Sequence, residues 1–409
     1  MLPGIEKIGF HTSRLKTDAL QIAAARGRDP QEIREQVMVA ERSVIPICED
    51  AVTMAVNAAR PLLTGDLRNE IDLLIVSTES ALDFGKPLST WVHGHLDLPA
   101  NCRNFEIKHA CYAGTAAFRT AAAWVGSGAT GGRKALVIST DFSRPAIDYG
   151  FDFVGGGCAT ALIVSLDPQV LSIDLERSGY WTNHVYDVYR PTARTEIAHN
   201  QLSLMSYLDA LDGACTHYES INGKIDFDAN FRKHIYHAPF PGMTFQAHRT
   251  LLRRRGNPDK RAIRASFEAK VAEGLYVARR IGACYGASNF VCLLGLLAAK
   301  CDSQAVAGDR VSFFSYGSGC QSEFYGSTIG PHARESVRSL DLDEHLESRV
   351  PISIEDYERI ERLREASFDC PNFVPAEMDP SGIAAEAYRD SGLLVLRRVA
   401  DYRREYDWA

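Results

Sequence analysis

The stretch Asn104-Phe-Glu-Ile-Lys-His-Ala-Cys111-Tyr-Ala-Gly-Thr115 decides how the rest of this sequence is interpreted. Phe105 and Ile107 alternate with polar residues, which is typical of a short strand with one buried side. The residues from Thr115 to Val125 are rich in alanine and predict a closely packed helix. The sequence therefore predicts a strand that runs through a single cysteine directly into a helix.

Cys111 is the candidate nucleophile because of its place at this junction. The dipole and the unpaired N–H groups of a helix N-terminus favour the thiolate, which is the form that attacks carbonyl carbons. The alternative is a small buried hydrophobic residue, which is the commoner role of a free cysteine. Position alone leaves both interpretations open.

The composition limits the class of protein. The chain has 409 residues, 45% of them hydrophobic and 24% charged, as in ordinary globular proteins. A formal net charge of −7 argues against nucleic acid as the main partner, which would require a basic face. Ten cysteines without a C-x-x-C pair predict a reducing, cytoplasmic environment. The residues 1–10 do not resemble a signal peptide, and no apolar run predicts a membrane span.

One region is basic despite the acidic balance of the chain. A solvated helix face is the ordinary interpretation, and a docking patch for an acidic partner or a phosphate-bearing cofactor is the alternative. The residues concerned are Arg249, Arg253, Arg254, Arg255, Lys260, Arg261, Arg264 and Lys270.

Glu79 and His237 are further candidates because each follows a predicted strand. The run from Ile71 to Glu79 is almost continuously apolar, so it predicts a strand buried on both faces, and ligands of α/β sheets bind at such strand ends. Partial burial there would raise the pKa of the carboxyl group and suit it to proton transfer. The alternatives are a solvated glutamate and a core histidine bonded to a carbonyl group, and His234 competes with His237.

An internal repetition indicates two related halves. Ala283-Cys284-Tyr-Gly-Ala-Ser288 leads into an apolar helix, as Ala110-Cys111-Tyr-Ala-Gly-Thr115 does. Alternating strands and helices then predict a layered α/β protein. We expect residues 1–168 to form the first half and residues 169–409 the connection and the second half, with a peripheral helical insertion near residues 336–378.

Two stretches in and after the first half have less specific patterns. The residues 166–200 are mixed in polarity and predict a turn-rich connection between the halves. Gly155, Gly156 and Gly157 lack the lysine and spacing of a phosphate loop, and they predict a close backbone approach to a ligand or a subunit interface.

Five motifs in this order resemble the 3-hydroxy-3-methylglutaryl-CoA synthase family of the thiolase superfamily. The motifs are Ile75-Val-Ser-Thr-Glu79-Ser, Phe105-Glu-Ile-Lys-His-Ala-Cys111-Tyr, Val137-Ile-Ser-Thr-Asp141, His234-Ile-Tyr-His237-Ala-Pro-Phe and Phe314-Ser-Tyr-Gly-Ser-Gly319. The branch that serves polyketide assembly lines is the more similar one. That likeness rests on Asp83-Phe-Gly-Lys-Pro-Leu-Ser-Thr-Trp-Val-His93, Tyr236-His-Ala-Pro-Phe-Pro-Gly-Met-Thr-Phe-Gln-Ala-His248 and Tyr406-Asp-Trp408.

The resemblance implies a five-layered αβαβα thiolase fold and a homodimer. It implies β-branching, in which an acetyl-derived carbon unit is added to the β-keto group of a chain on an acyl carrier protein. Donor and acceptor carrier proteins would be the partners, with substrates on phosphopantetheine or coenzyme A and no metal or redox cofactor.

The resemblance also assigns roles to particular residues. Cys111 would carry the acetyl group, Glu79 would remove a methyl proton, and His237 would hydrogen-bond the ketone oxygen. The backbone N–H groups of Cys111 and of Gly317, Ser318 and Gly319 are candidate oxyanion donors. The candidate docking residues are Arg253, Arg254, Arg255, Lys260, Arg261 and Arg264.

Two departures from the family pattern keep alternatives open. Ala283 stands where the family generally has asparagine, and Asn289 is a nearby candidate for the missing amide. Phe142-Ser-Arg-Pro145 replaces a tyrosine that is common in the primary-metabolic enzymes, which suits the polyketide branch. The alternatives are a primary-metabolic synthase that uses acetyl-CoA and acetoacetyl-CoA, and a catalytically impaired binding partner with the same fold.

Overall fold

The computed structural model describes residues 2–144, 147, 150–254, 256, 258–298 and 305–409. The first half contains seven strands, which are β1 (Gly4–Thr12), β2 (Leu15–Asp18), β3 (Glu41–Val44), β4 (Ile71–Ser77), β5 (Arg103–Ile107), β6 (Lys134–Phe142) and β7 (Gly157–Ser165). Its helices are α1 (Ala19–Ala25), α2 (Pro30–Glu32), α3 (Ala51–Ala59), α4 (Leu88–His95) and α5 (Ala113–Gly126).

The second half continues the same alternation. Its strands are β8 (Leu171–Thr182), β9 (Val188–Tyr189), β10 (Ile197–Ala198), β11 (Lys233–Tyr236), β12 (Arg310–Gly317), β13 (Gln321–Ile329), β14 (Val350–Pro351), β15 (Leu394–Ala400) and β16 (Arg403–Trp408). Its helices are α6 (Asn200–Asn222), α7 (Phe227–Asn230), α8 (Met243–Arg253), α9 (Lys260–Lys270), α10 (Ala278–Ile281), α11 (Ser288–Leu297), α12 (Ala333–Arg338), α13 (Leu342–Glu347), α14 (Ile354–Ser367), α15 (Pro375–Met378) and α16 (Ile383–Tyr388).

The central sheet has the same plan in both halves. The first half contributes the order β1-β7-β6-β4-β5 and the second β8-β13-β12-β11. In each half the first two neighbouring pairs are antiparallel and the next pair, β6 with β4 or β12 with β11, is parallel. The strands β4 and β11 are therefore equivalent, as are β6 and β12. A short antiparallel pairing of β1 with β8, Gly4 opposite Ser172 and Ile5 opposite Leu171, joins the two half-sheets.

Helices cover this sheet in layers. The helix α3, which Asp50 caps through bonds from the N–H groups of Val52 and Thr53, packs with α4 on the outer face of the first half-sheet. The helices α5 and α11 lie inside, where the ring of Phe118 meets that of Phe290 edge-to-face with centroids 5.8 Å apart. The helix α6 packs on β8 and β13, and this arrangement confirms the predicted fold of two related halves.

Glycines allow the two halves to approach each other closely. A Cβ atom at Gly114 would lie 2.0 Å from the carbonyl oxygen of Gly286, and one at Gly156 would lie 2.0 Å from that of Ile281. The prediction that the glycine run 155–157 approaches a ligand or a subunit interface is wrong for Gly156, because its neighbour is the other half of the same chain.

The prediction of a turn-rich connection over residues 166–200 is wrong in its first part. Residues Leu171–Thr182 form β8, a strand of 12 residues inside the sheet. Its outer end is partly exposed, so its side chains do not show the continuous apolar run of β4 or β7. Only the following hairpin, β9 with β10, has the expected irregular character. In the described ranges no helix is both long and apolar enough to cross a membrane.

Candidate active site

The thiol of Cys111 lies at the predicted turn between β5 and α5. Ala110 has a φ of +40°, a left-handed conformation that is costly for an L residue, so the chain turns sharply just before the cysteine. The N–H of Tyr112 then donates to the carbonyl oxygen of His109 at 3.1 Å. This turn brings Cys111 Sγ to 4.0 Å from Glu79 Oε2.

Glu79 is held from its backbone and from its carboxylate. Its N–H donates to Asp141 Oδ1 at 2.8 Å, and the same oxygen accepts from Thr78 Oγ1 at 3.0 Å and Ser80 Oγ at 2.9 Å. The guanidinium of Arg190 lies 3.2 Å from Glu79 Oε1. Because Asp141 ends β6 and Glu79 follows β4, the two neighbouring parallel strands fix the carboxylate beside Cys111.

The environment of Glu79 prepares it for proton transfer. Burial raises the pKa of Glu79 to about 7, against the lowering effect of Arg190 and with a further increase from the negative charge of Asp141. Both protonation states are therefore populated near neutral pH, as a general base requires. The predicted increase in the pKa of Glu79 is confirmed.

The expectation that the helix terminus keeps Cys111 as a thiolate is wrong for the free enzyme. Burial raises the pKa of the Cys111 thiol well above its usual value, and the charges of Glu79 and Asp141 raise it further. These effects outweigh the opposing charge of Arg190. Cys111 therefore rests as a thiol, and its proton has an acceptor 4.0 Å away in Glu79.

His237 is fixed by its backbone directly after β11. Its N–H donates to the carbonyl oxygen of Phe314 at 2.7 Å, and its own carbonyl oxygen accepts from the hydroxyl of Tyr207 at 2.8 Å. Burial lowers the pKa of His237 to about 3, so the imidazole is neutral. Within the described ranges its Nδ1 atom has no hydrogen-bond partner.

His234, the alternative to His237, is bound into a separate polar cluster. Its Nδ1 lies 2.6 Å from Ser312 Oγ and its Nε2 lies 3.7 Å from Asp228 Oδ1. Successive residues of a strand point to opposite faces of the sheet, so His234 and Ile235 project from opposite faces of β11. Of the two histidines, His237 is the better placed for the site because it follows the strand end.

The turn after β12 closes the site from the second half. A Cβ atom at Gly317 would lie 2.6 Å from the backbone N of Tyr112, so this turn packs directly on the Cys111 junction. The N–H of Gly319 donates to Asp187 Oδ1 at 2.9 Å, and Tyr316 donates to Oδ2 of the same carboxylate at 2.6 Å. The predicted oxyanion role is therefore wrong for Gly319, whose N–H is already bound. For Gly317 and Ser318 it stays a prediction.

Comparison with known proteins places the chain in a family. Residues 39–169 match the model of the hydroxymethylglutaryl-coenzyme A synthase N-terminal region, and residues 248–408 match that of the C-terminal region. The chain is 34% identical to the polyketide biosynthesis 3-hydroxy-3-methylglutaryl-ACP synthase PksG of Bacillus subtilis, over 99% of each chain. The chain belongs to the hydroxymethylglutaryl-CoA synthase family.

Solved structures agree with this membership. The HMG synthase of the curacin biosynthetic pathway superposes with a TM-score of 0.93 at 33% identity over the full length of both chains. That synthase has also been solved in complex with apo, holo and acetyl forms of a donor ACP. The hydroxymethylglutaryl-CoA synthase of Enterococcus faecalis is 29% identical over 88% of this chain and 91% of its own. The predicted family and thiolase fold are confirmed, and the chain is an acyltransferase-type enzyme that forms carbon–carbon bonds.

The sequence interpretation of this family member missed Arg190 and Asp187. Both lie around the hairpin of β9 and β10, where the irregular sequence offers no periodic signal. Arg190 binds Glu79, pairs with Glu196 at 2.5 Å, and lies over the ring of Tyr285 at 5.0 Å from its centroid. Asp141 is a polar residue near the end of the buried strand β6. This position is the sequence feature that indicates a role in holding Glu79.

Asn289, the candidate for the family's missing amide at Ala283, is bound in part within the chain. Its Nδ2 donates to the carbonyl oxygen of Phe314 at 3.0 Å, so the amide braces the strand that also holds His237. The N–H of Ala283 donates to the carbonyl oxygen of Val154 at 2.9 Å. One N–H of the amide is therefore engaged within the chain, and a substrate contact through the rest of the Asn289 amide stays a prediction.

The structure divides the basic region into two groups. Arg254 pairs with Asp212 and lies 2.8 Å from Glu219, and Lys270 lies 3.2 Å from Asp228, so both have partners within the chain. Arg255 lies outside the described residues. Four residues of the predicted docking set are exposed on or beside α8 and α9, namely Arg253, Lys260, Arg261 and Arg264. Docking through them stays a prediction.

Proposed function

We propose that this enzyme performs β-branching in polyketide biosynthesis, adding an acetyl-derived carbanion to the β-keto group of an acyl chain on a carrier protein. The observation that carries the proposal is the 4.0 Å contact between Cys111 Sγ and Glu79 Oε2, a nucleophile beside a carboxyl group whose pKa lies at about 7. His237, which follows the equivalent strand of the second half, completes the set.

The first step is transfer of the acetyl group to Cys111. Because the free thiol is protonated, Glu79 takes its proton while sulfur attacks the carbonyl carbon of the donor thioester. The leaving carrier thiolate then takes that proton from Glu79. A neutral acetyl-cysteine remains, and Glu79 is again a carboxylate facing it.

The second step forms the carbon–carbon bond. Glu79 removes a proton from the acetyl methyl group, and the resulting enolate attacks the β-ketone of the acceptor. The neutral imidazole of His237 donates a hydrogen bond to the oxygen on which negative charge develops. Because burial keeps His237 uncharged, it stabilises the alkoxide by this hydrogen bond, while Glu79 holds the proton that the alkoxide requires.

Hydrolysis completes the cycle. Water attacks the Cys111 thioester, sulfur leaves with a proton, and the product is a 3-hydroxy-3-carboxymethyl acyl thioester. Apart from this water, every group used in these steps belongs to the chain or to its thioester substrates, which are carried on phosphopantetheine or coenzyme A.

Carrier proteins are the proposed partners for both donor and acceptor. Support comes from the donor-ACP complexes of the curacin synthase and from the similarity to PksG, a 3-hydroxy-3-methylglutaryl-ACP synthase. The exposed basic residues Arg253, Lys260, Arg261 and Arg264 offer the charge that an acidic carrier surface would meet. We also propose that the enzyme is a homodimer, which sedimentation analysis would test.

The decisive experiment compares two acetyl donors. Acetyl groups are loaded separately on coenzyme A and on a carrier protein, and acetylation of Cys111 is followed by intact mass, with Cys111→Ala as the blank. Faster transfer from the carrier supports the proposal. Transfer from coenzyme A alone would instead indicate a primary-metabolic synthase, and absence of transfer from both would indicate an inactive binding partner.

The docking residues are tested with a matched charge reversal. Arg261→Glu should slow acetylation from the carrier protein and leave the rate from coenzyme A less affected, because only the carrier presents an acidic protein surface. Arg398→Glu, an equally exposed arginine on β15, is the control and should change neither rate. Equal loss in both variants would contradict docking at the basic region.

A further inference from the structure

A pocket lies beside the segment that follows Glu79, lined by residues of both halves of the chain and of the carboxyl end of α14. The space within it measures about 600 Å³, open solvent included. Its apolar wall begins two residues after Glu79 and is formed by Ala81, Leu82, Phe142, Ala193, Phe368 and Phe373. The catalytic Cys111 and His237 do not line it, so it is distinct from the reaction centre although it adjoins the base.

Most charged groups that line this pocket have counter-charges in the chain. The pairs are Asp50 with Arg404 at 3.1 Å, Arg364 with Glu361 at 2.7 Å, and Asp369 with Arg194 at 3.5 Å, and Glu49 Oε1 lies 2.7 Å from the imidazole Nε2 of His11. These pairs leave one lining cation, Arg144, that has no ion pair within the described ranges.

Aromatic packing positions the side chain of Arg144, and within the described ranges no carboxylate forms an ion pair with it. Its guanidinium lies over the ring of Phe368, 4.7 Å from the centroid, and its buried Nε has no hydrogen-bond partner in the part of the chain that the structure describes. Burial, Arg190 and Arg364 together lower the pKa of Arg144 to about 10, which still leaves it charged at neutral pH. Its neighbour Glu196 is already paired with Arg190. A partly buried cation of this kind, with a buried N–H that has no acceptor, is costly unless an anion joins it.

We propose that this pocket binds a carboxylate carried on a short apolar chain, with Arg144 as the counter-ion. The planar guanidinium matches the two oxygens of a carboxylate, and the aromatic and aliphatic wall accommodates the attached methylene groups. Resting on the proposed function, the natural occupant is the far end of an acidic acceptor chain. The pocket would then select acceptors by their charge, in addition to the β-ketone that the reaction requires.

Calorimetric titration with glutarate tests the binding site without any catalysis. Wild type should bind glutarate, and Arg144→Gln should weaken binding at least ~10-fold, because one charge-assisted pair is lost. Arg398→Gln, the same change at an exposed arginine, should bind as wild type does. Arg144→Lys should keep part of the affinity, since it retains the charge without the planar fork.

Three further measurements make the outcome decisive. Inorganic phosphate and dimethyl glutarate should bind at least ~10-fold more weakly than glutarate if both the charge and the apolar chain are recognised. Equal binding of phosphate, or equal binding of glutarate to wild type and Arg144→Gln, would overturn the proposal. The melting temperature of Arg144→Gln should equal that of wild type, which would show that the variant is folded and that its weaker binding is due to the missing guanidinium.

Turnover separates this proposal from the proposed function. With carrier-bound β-keto acceptors, Arg144→Gln should raise the KM for an ω-carboxylate chain and leave that for the neutral chain of equal length unchanged. If no acceptor is condensed at all but Arg144-dependent glutarate binding persists, the pocket stands and the proposed function fails. An identical KM change for both chains would contradict selection by charge.

Discussion

The Cys111 and Cys284 junctions share a sequence plan and differ in their surroundings. Cys111 is partly accessible and faces Glu79, whereas Cys284 is only 1% exposed and lies within hydrogen-bonding reach of Cys158, both of these cysteines being free thiols. Cys111 leads into the 14-residue helix α5, whereas Cys284 passes through the short 3₁₀ turn Tyr285–Ala287 before α11 begins. A cysteine-tyrosine junction is therefore a structural element of both halves, and the facing carboxylate distinguishes the reactive one.

The equivalent strands β4 and β11 show the same relationship. The first is followed by Glu79 and the second by His237, so one strand end carries a carboxyl group with a raised pKa and the other a neutral imidazole, the proposed base and the proposed hydrogen-bond donor. Duplication provides two similar edges that meet, and different residues at equivalent positions give the site its two functions.

The largest difference in activity should appear between two single variants, in which either Cys111 or Cys284 is replaced by alanine. Cys111→Ala should reduce condensation by about 10⁴-fold or more, because the covalent intermediate is lost. Cys284→Ala should keep acetylation, measured by intact mass, and lose only some thermal stability. If the two variants lost activity equally, the distinction between the junctions would be wrong.

Replacing the base should give the next largest effect. Glu79→Gln should slow condensation by roughly 10²–10⁴-fold, because the methyl proton loses its acceptor. The role of Glu79 in acetylation is measured separately by burst-phase mass spectrometry, and we expect a loss there as well, because Glu79 also accepts the proton of the thiol. His237→Ala should impair condensation but not acetylation, and an equal loss in both steps would contradict its assignment to the acceptor.

The contact between the junctions can be tested through stability. Gly114→Ala places a methyl group 2.0 Å from Gly286 O, so we expect a destabilisation of roughly 1–3 kcal/mol and a lower melting temperature. Gly126→Ala in the same helix meets its nearest neighbour, Pro3 Cγ, at 3.6 Å, which is ordinary contact. This control should melt at or above the wild-type temperature, and equal melting of the two variants would show that the halves tolerate separation.

The smallest effect should be a displaced pH profile. With the pKa of Glu79 at about 7, its carboxylate is lost below that pH, so the condensation rate should rise as the pH increases through 7. Arg190→Gln removes the cation that lowers the pKa of Glu79, so the rise should move to higher pH. Arg190→Lys should keep most of the wild-type profile, and an unchanged profile in Arg190→Gln would show that another group sets the rise.

The parts of the molecule that could be predicted are those with a local pattern. The continuous apolar run over β4 and the alternation before Cys111 gave the strands, and the repetition at Cys284 gave the two halves. The strand β8 was not predicted because its exposed end mixes polar and apolar residues. Arg190 and Asp187 escaped because their roles depend on contacts with residues more than a hundred positions away, Glu79 and Tyr316.

The pKa values and hydrogen bonds of the site residues were the second property that could not be predicted from the sequence. The position of Cys111 before a helix indicated a thiolate, but the sign of its pKa shift depends on Glu79, Asp141 and burial, which only the folded chain brings together. The same holds for Gly319. Its position predicts an oxyanion donor, but in the folded chain its N–H donates to Asp187.

The protonated resting state of Cys111 has a consequence for chemical durability. Peroxides and general alkylating reagents attack thiolates, so a thiol with a raised pKa should survive oxidative stress between turnovers better than a typical reactive cysteine. Inactivation should then require an electrophile that resembles an acyl thioester and engages Glu79 on arrival. Such selectivity favours substrate-shaped covalent probes over broad thiol labels for detecting this enzyme in cell extracts.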